Sequence, residues 1–229
     1  MRAMQLELSF HHPSRGGARL GAGRKRFPAH ARHTPHRARP AHRAAHPVHV
    51  TLRARSRSLR TQVVSKTVLR ALRDSNSERF RIAHYSVQEN HVHLIVEADD
   101  KRSLSSGVRG LMVRVARRVN QLLFRRGRLW ADRWHGHALT RPREVRNALV
   151  YVLQNHKKHG EAASRSGRDG VNDLDVFSSA EWFCGFAEPL PRGFRSVGTP
   201  CVAFARTWLL RVGWLRHGLI HFREAPRAK

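Results

Sequence analysis

The stretch Asn90-His91-Val92-His93-Leu94-Ile95-Val96 narrows the fold more than any other part of this 229-residue chain. Successive side chains of a β-strand point to opposite faces of a sheet. His91 and His93 therefore share one face, and Val92, Leu94 and Val96 share the other. The aliphatic face requires a core to be buried in. On the polar face, two imidazoles at a fixed spacing on a rigid strand are a pair of ligands for a divalent metal. About sixty residues later a helical stretch carries Tyr151, one of two tyrosines in the chain.

The elements around this strand follow from periodicity. Val48, Val50 and Leu52 alternate with His49 and Thr51, so a strand begins at about residue 46. His49 reads there as a polar-face strand residue rather than a ligand. Across 57–74, Leu59, Val63, Val64, Val68, Ala71 and Leu72 recur at spacings of three and four, the apolar stripe of a helix that ends at Asp74-Ser75-Asn76-Ser77. Phe80, Ile82, Ala83, Tyr85 and Val87 give a second strand. Gln88-Glu89-Asn90 turns it into the histidine strand as a hairpin.

A long helix is expected over 103–124, with Ser103 as its N-cap and Leu104, Val108, Leu111, Val115 and Val119 on one stripe. Leu129–Leu139 reads as a fourth strand. It carries Trp130 and Trp134 for core packing or base stacking, and Gly136 marks a bulge. A third helix starts with Thr140 as cap, Pro142 in the first turn and Glu144 near the positive end, and runs to about His159. The order β-α-β-β-α-β is that of an α+β, ferredoxin-like antiparallel sheet, with both crossover helices on one face and a tyrosine-bearing helix added at the end.

Charge bears on the partner. The net charge is +28 and the sequence pI about 11.9, which favours a polyanion, since each Lys or Arg that neutralises a phosphate releases a counterion. Residues 1–45 read as a flexible basic arm whose Gly, Pro, His and Arg bury too little apolar surface to order it. Residues 46–160 form the expected domain. Residues 161–229 are a linker followed by a basic and aromatic extension with a short helix at about 204–212. Two cysteines without a CxxC exclude a disulfide framework and a zinc ribbon, and suit the reducing cytoplasm. No apolar run approaches the ~18 residues of a membrane span, and no apolar signal segment is seen, so no membrane partner is expected.

Tyr151 and Asn155 stand one helical turn apart on one face, with Gln154 nearly on it. If that helix packs over the histidine strand, an amide oxygen completes a metal site begun by His91 and His93, and the phenol stands beside it. A free phenol has a pKa of about 10 and is a poor nucleophile at neutral pH. A divalent cation on a phosphate oxygen makes the phosphorus a better target. The combination suits a phosphotyrosine intermediate with a nucleic-acid strand. His135 and His137 also share a strand face and are the rival metal pair. Tyr85, on a hairpin strand, reads as structural.

The 90–96 stretch resembles the signature of the HUH single-tyrosine transposases, the insertion sequence 200-like family. Asp132-Arg133-Trp134-His135 and Ala148-Leu149-Val150-Tyr151-Val152-Leu153-Gln154-Asn155 are similar to its later part. Within the family, the REP-associated tyrosine transposases are the most similar branch. The resemblance implies His91 and His93 as metal ligands, Tyr151 as nucleophile and Mg²⁺ or Mn²⁺ as cofactor. It implies single-stranded or hairpin DNA as the partner and a 5′-phosphotyrosine link with a free 3′-hydroxyl as the outcome of cleavage. Insertion-sequence members complete the metal site with a glutamine one turn after the tyrosine; here Asn155 holds that position, with Gln154 beside it. Family members act as monomers or homodimers. The alternatives are a non-catalytic DNA-binding protein on the same fold and a relaxase or replication initiator with the same chemistry.

Overall fold

The computed structural model describes residues 41–55, 59–156 and 174–226. The expected arm, apart from its last residues, and all but the end of the linker lie outside them. Four strands form one sheet: β1 (Val48–Arg53), β2 (Phe80–Val87), β3 (His91–Ala98) and β4 (His135–Ala138), in the order β2-β3-β1-β4. Every neighbouring pair is antiparallel. Helix α1 (Gln62–Arg73) connects β1 to β2, and α2 (Lys101–Leu122) connects β3 to β4. This is the expected ferredoxin-like α+β core.

Side-chain parity decides what each face holds. Val48, Val50 and Leu52 of β1 join Val92, Leu94 and Val96 of β3 in a buried cluster with Leu72 of α1 and Leu111 and Val115 of α2. Both crossover helices thus cover one face. A bulge in β2 keeps that strand in step: Ile82 pairs with Val96 but His84 pairs with Ile95, so Ala83 is the extra residue. The apolar positions therefore switch from Phe80 and Ile82 to Tyr85 and Val87, all in this cluster. Tyr85 is fully buried there, on the side of the sheet away from His93, which makes its structural role plain. Burial pushes its phenol up, and the neighbouring Cys201 thiol adds to the effect.

Several boundaries differ from the sequence expectation. The N-cap of α2 is Asp100, whose carboxylate accepts from the Ser103 N–H at 2.7 Å, so Ser103 is the third helical residue rather than the cap. An aspartate stabilises an exposed N-terminal N–H better than a serine hydroxyl, because it carries charge into the positive end. The fourth strand is shorter than expected. Ala54 bridges Trp130 and Thr51 pairs with His135, so the second chain spends two more residues over the same distance. The irregularity thus precedes Gly136. Glycine is still needed there, because a Cβ would lie 2.5 Å from the Trp134 ring.

Helix α3 (Pro142–Leu153) begins one residue later than expected, with Arg141 at the cap position. Glu144 reaches back to accept from the Thr140 N–H at 2.7 Å, the Thr140 hydroxyl at 3.0 Å and the Arg141 N–H at 3.2 Å. The helix ends at Leu153, and 157–160 lie outside the described residues.

Residues 174–226 are built into the fold. Asp175 is buried and takes two bonds from Arg60, at 2.7 and 3.1 Å. Ser178 bridges Ser86, which covers the outer edge of β2. Glu97 is fully buried and accepts from the Arg206 and Thr207 N–H groups and the Thr207 hydroxyl, each at 2.8 Å. That holds the start of a short helix, α4 (Trp208–Arg211). The expected helix at 204–212 is only this one turn, followed by a 3₁₀ turn over Gly213–His217.

Candidate active site

Helix α3 lies on the second face of the sheet. Val145, Leu149, Val152 and Leu153 pack with Ala83 and Ile95 beneath them, and with Phe183, Leu209, Trp214 and Ile220 of the extension. Arg146 fixes the helix from outside through Glu224, at 2.7 and 2.8 Å, and the Gly218 and Leu219 carbonyls. The helix is therefore held between its own sheet and its own C-terminal segment.

This docking brings Tyr151 onto the histidine strand. The phenol ring sits edge-on to His93 at a centroid distance of 5.1 Å. His91 and His93 stack at 5.9 Å with an interplanar angle of 13°, as expected for residues two apart on one strand face. His93 is buried, and its Nδ1 lies 3.2 Å from the Thr51 hydroxyl on the neighbouring strand. That contact fixes the ring, as a hydrogen-bonding group does behind a metal-binding imidazole. Burial raises the Tyr151 phenol above its ordinary value.

The two amides after the tyrosine part company. Gln154 donates its side-chain amide to the His221 carbonyl of the extension at 2.8 Å. Asn155 is wholly buried, and neither its Oδ1 nor its Nδ2 has a hydrogen-bond partner. A carboxamide buried without partners is costly to the fold. Among the described residues no three His, Cys, Asp or Glu side chains form a group able to hold a metal.

His49 is the site residue that sequence reasoning set aside. Its ring lies 5.5 Å from His93 and 5.4 Å from Tyr151. Its parity on β1 was visible, but only the register shows that it stands two pairs along from Thr51 and His93, in the next row of the same face. The rival pair reaches the same face: Thr51 pairs with both His93 and His135, and His49 pairs with His137. His135 and His137 are exposed.

Residues 43–153 match the sequence pattern of the family described as "Transposase IS200 like". This domain belongs to the IS200-like transposase family. The transposase fold recurs in the solved structure of a REP-associated tyrosine transposase bound to a REP hairpin. That structure is 17% identical with a TM-score of 0.52, over 76% of this chain and all of the other. A putative transposase from Deinococcus radiodurans is 19% identical over 41% of this chain and 78% of its own, with a TM-score of 0.36. No curated protein matches the chain. No helix among the described residues of this chain is long and apolar enough to cross a membrane.

Proposed function

We propose that this transposase nicks and rejoins single-stranded DNA through Tyr151, with a divalent metal, at hairpin-forming repeats of the kind bound by REP-associated enzymes. The observation that carries the reading is the Tyr151 ring against His93, with the unpartnered Asn155 amide just past the end of α3 rather than on its last turn. His91, His93 and Asn155 would hold the cation, and we assign the third position to Asn155 rather than Gln154. When bound, the ion supplies positive charge to the non-bridging oxygens of the scissile phosphate. Two imidazoles and an amide favour Mn²⁺ over Mg²⁺, which prefers oxygen alone.

The chain's own residues do the rest. Tyr151, like any phenol, holds its proton at neutral pH, and burial strengthens that hold, so the proton must leave as the phenolic oxygen attacks. The Tyr151 Oη forms a bond to phosphorus and the bond from phosphorus to the 3′-oxygen breaks. The departing oxygen takes up a proton and becomes a free 3′-hydroxyl, and the 5′-phosphate stays on the tyrosine. Attack by a 3′-hydroxyl reverses the step and rejoins the strand. His49 and His93 border the phenol ring and fix its orientation.

The test mixes the full chain with single-stranded hairpin oligonucleotides and Mn²⁺ or Mg²⁺ and resolves the products on a denaturing gel. A covalent adduct is expected that requires metal and disappears in Tyr151→Phe. Binding without an adduct across a broad pool of hairpins would leave a DNA-binding protein on this fold.

A further inference from the structure

Helix α2 ends in an unusual way. The Arg125 N–H donates to the Asn120 carbonyl at 2.9 Å and the Phe124 N–H to the Gln121 carbonyl at 3.3 Å, the paired bonds of a left-handed helix terminus. Such a terminus needs one residue with positive φ, which glycine adopts without a steric penalty. Here that residue is Phe124, at φ +48°, the one non-glycine residue with positive φ among those described. The turn is fixed further by the Asn120 side chain, which donates to the Gly127 carbonyl at 2.8 Å.

Strain of this kind persists where the surroundings enforce it, and often where function uses it. Packing does not explain it, since the Phe124 side chain is 98% exposed. Charge indicates what covers it. From Lys101 to Ala131 the chain has nine basic residues and no acidic one, and Arg125, Arg126 and Arg128 stand within four residues of the ring. Gly127, Arg128, Leu129 and Trp130 continue into a cavity of about 500 Å³ beside Met112 and Val113 of α2. An aromatic ring among arginines, next to a mainly apolar recess, is the composition of a stacking platform for single-stranded nucleic acid.

We propose that the end of α2 is a second DNA contact, in which Phe124 stacks on an unpaired base of the substrate and Arg125, Arg126 and Arg128 hold the flanking phosphates. The inference rests on the DNA substrate proposed above, but not on Tyr151 chemistry.

The experiment compares wild type, Phe124→Gly and Phe204→Ala by thermal melting and by binding to a fluorescent hairpin with single-stranded flanks over a range of salt. Phe204 is the control, because it is 96% exposed without positive φ. Phe124→Gly is expected to raise the melting temperature, by removing the strain, and to weaken binding by about tenfold with the salt slope unchanged. Phe204→Ala is expected to leave affinity within about twofold. The proposal is overturned if Phe124→Gly binds as wild type does, if Phe204→Ala weakens binding equally, if Phe124→Gly alters oligomeric state instead of DNA affinity, or if the wild type does not bind the hairpin. A wild type that binds but forms no Tyr151 adduct would defeat the nuclease reading and leave this comparison standing.

Discussion

The two faces of the sheet are made from the same strands and follow opposite rules. Under α1 and α2, each inward position of β1 and β3 is aliphatic and buried. Under and beside α3, the same strands present Thr51, His93 and His135 in one cross-strand row, with His49, Ile95 and His137 in the next. The first face carries the larger buried apolar cluster. That frees the other to carry imidazoles, which a marginally stable fold tolerates only where it gains something else from them. Only part of the second face is roofed: Ala83 and Ile95 lie under α3, while His135 and His137 face solvent. Under the function proposed above, the uncovered part is where a substrate strand would approach Tyr151.

The largest break of this comparison uses two adjacent residues. His93→Ala is expected to cut adduct formation on the order of 100-fold or more, through lost charge stabilisation at the phosphate, with little change in melting temperature. Leu94→Ala, one position on and facing the other way, is expected to cost about 2–5 kcal/mol of stability. At temperatures where that variant is folded, its adduct formation should match the wild type. Denaturant melts and a gel assay on both variants check the pair. Equal effects on stability would mean that the histidine face is also a structural core.

The two faces were unequally legible in the sequence. Alternation in β1 and β3 and the stripes on α1 and α2 announce the apolar face, because burial there selects residue type at each position. The bulge at Ala83 was also written, in the shift of apolar residues from Phe80 and Ile82 to Tyr85 and Val87. The histidines of β3 and Tyr151 were visible as residues. What brings them together was not, because strand register and the docking of α3 depend on contacts far apart in sequence. His49 was passed over for that reason. The extension was legible only as aromatic and basic, since its hold on the fold runs through single polar anchors such as Glu97 and Asp175, which have no periodicity to detect.

A sharper form of the comparison replaces the buried amide. If Asn155 is kept for a cation and not for the fold, then Asn155→Leu removes two unpartnered polar atoms at similar volume and leaves stability unchanged or higher. The same change should weaken Mn²⁺ binding, read by calorimetry on the DNA-free protein, by about tenfold or more, on the scale of losing a group that supports a metal site. Gln154→Leu should leave Mn²⁺ binding unaltered, because that amide is bonded to the extension. A fall in stability of about 2 kcal/mol in Asn155→Leu, without change in metal affinity, would make the amide part of the scaffold.

The smallest effect concerns how the second face is aligned. Burial alone would raise the Glu144 carboxyl, but the Thr140 N–H and hydroxyl and the Arg141 N–H bind its charged form and hold it below its ordinary 4.5. A carboxylate with a depressed folded-state pKa binds fewer protons folded than unfolded. Its contribution is therefore complete above the unfolded value of 4.5 and is lost as pH falls through the folded one. Glu144→Gln should cost about 1 kcal/mol at neutral pH, the usual worth of a helix cap. The gap from wild type should close as the pH is lowered below that range. Since Glu144 orients the first turn of the helix that carries Tyr151, the same variant should slow adduct formation a few-fold at neutral pH while leaving DNA affinity unchanged. A stability gap that persists to low pH would show that Glu144 acts through packing, and that the tyrosine helix is aligned by Arg146 and the extension alone.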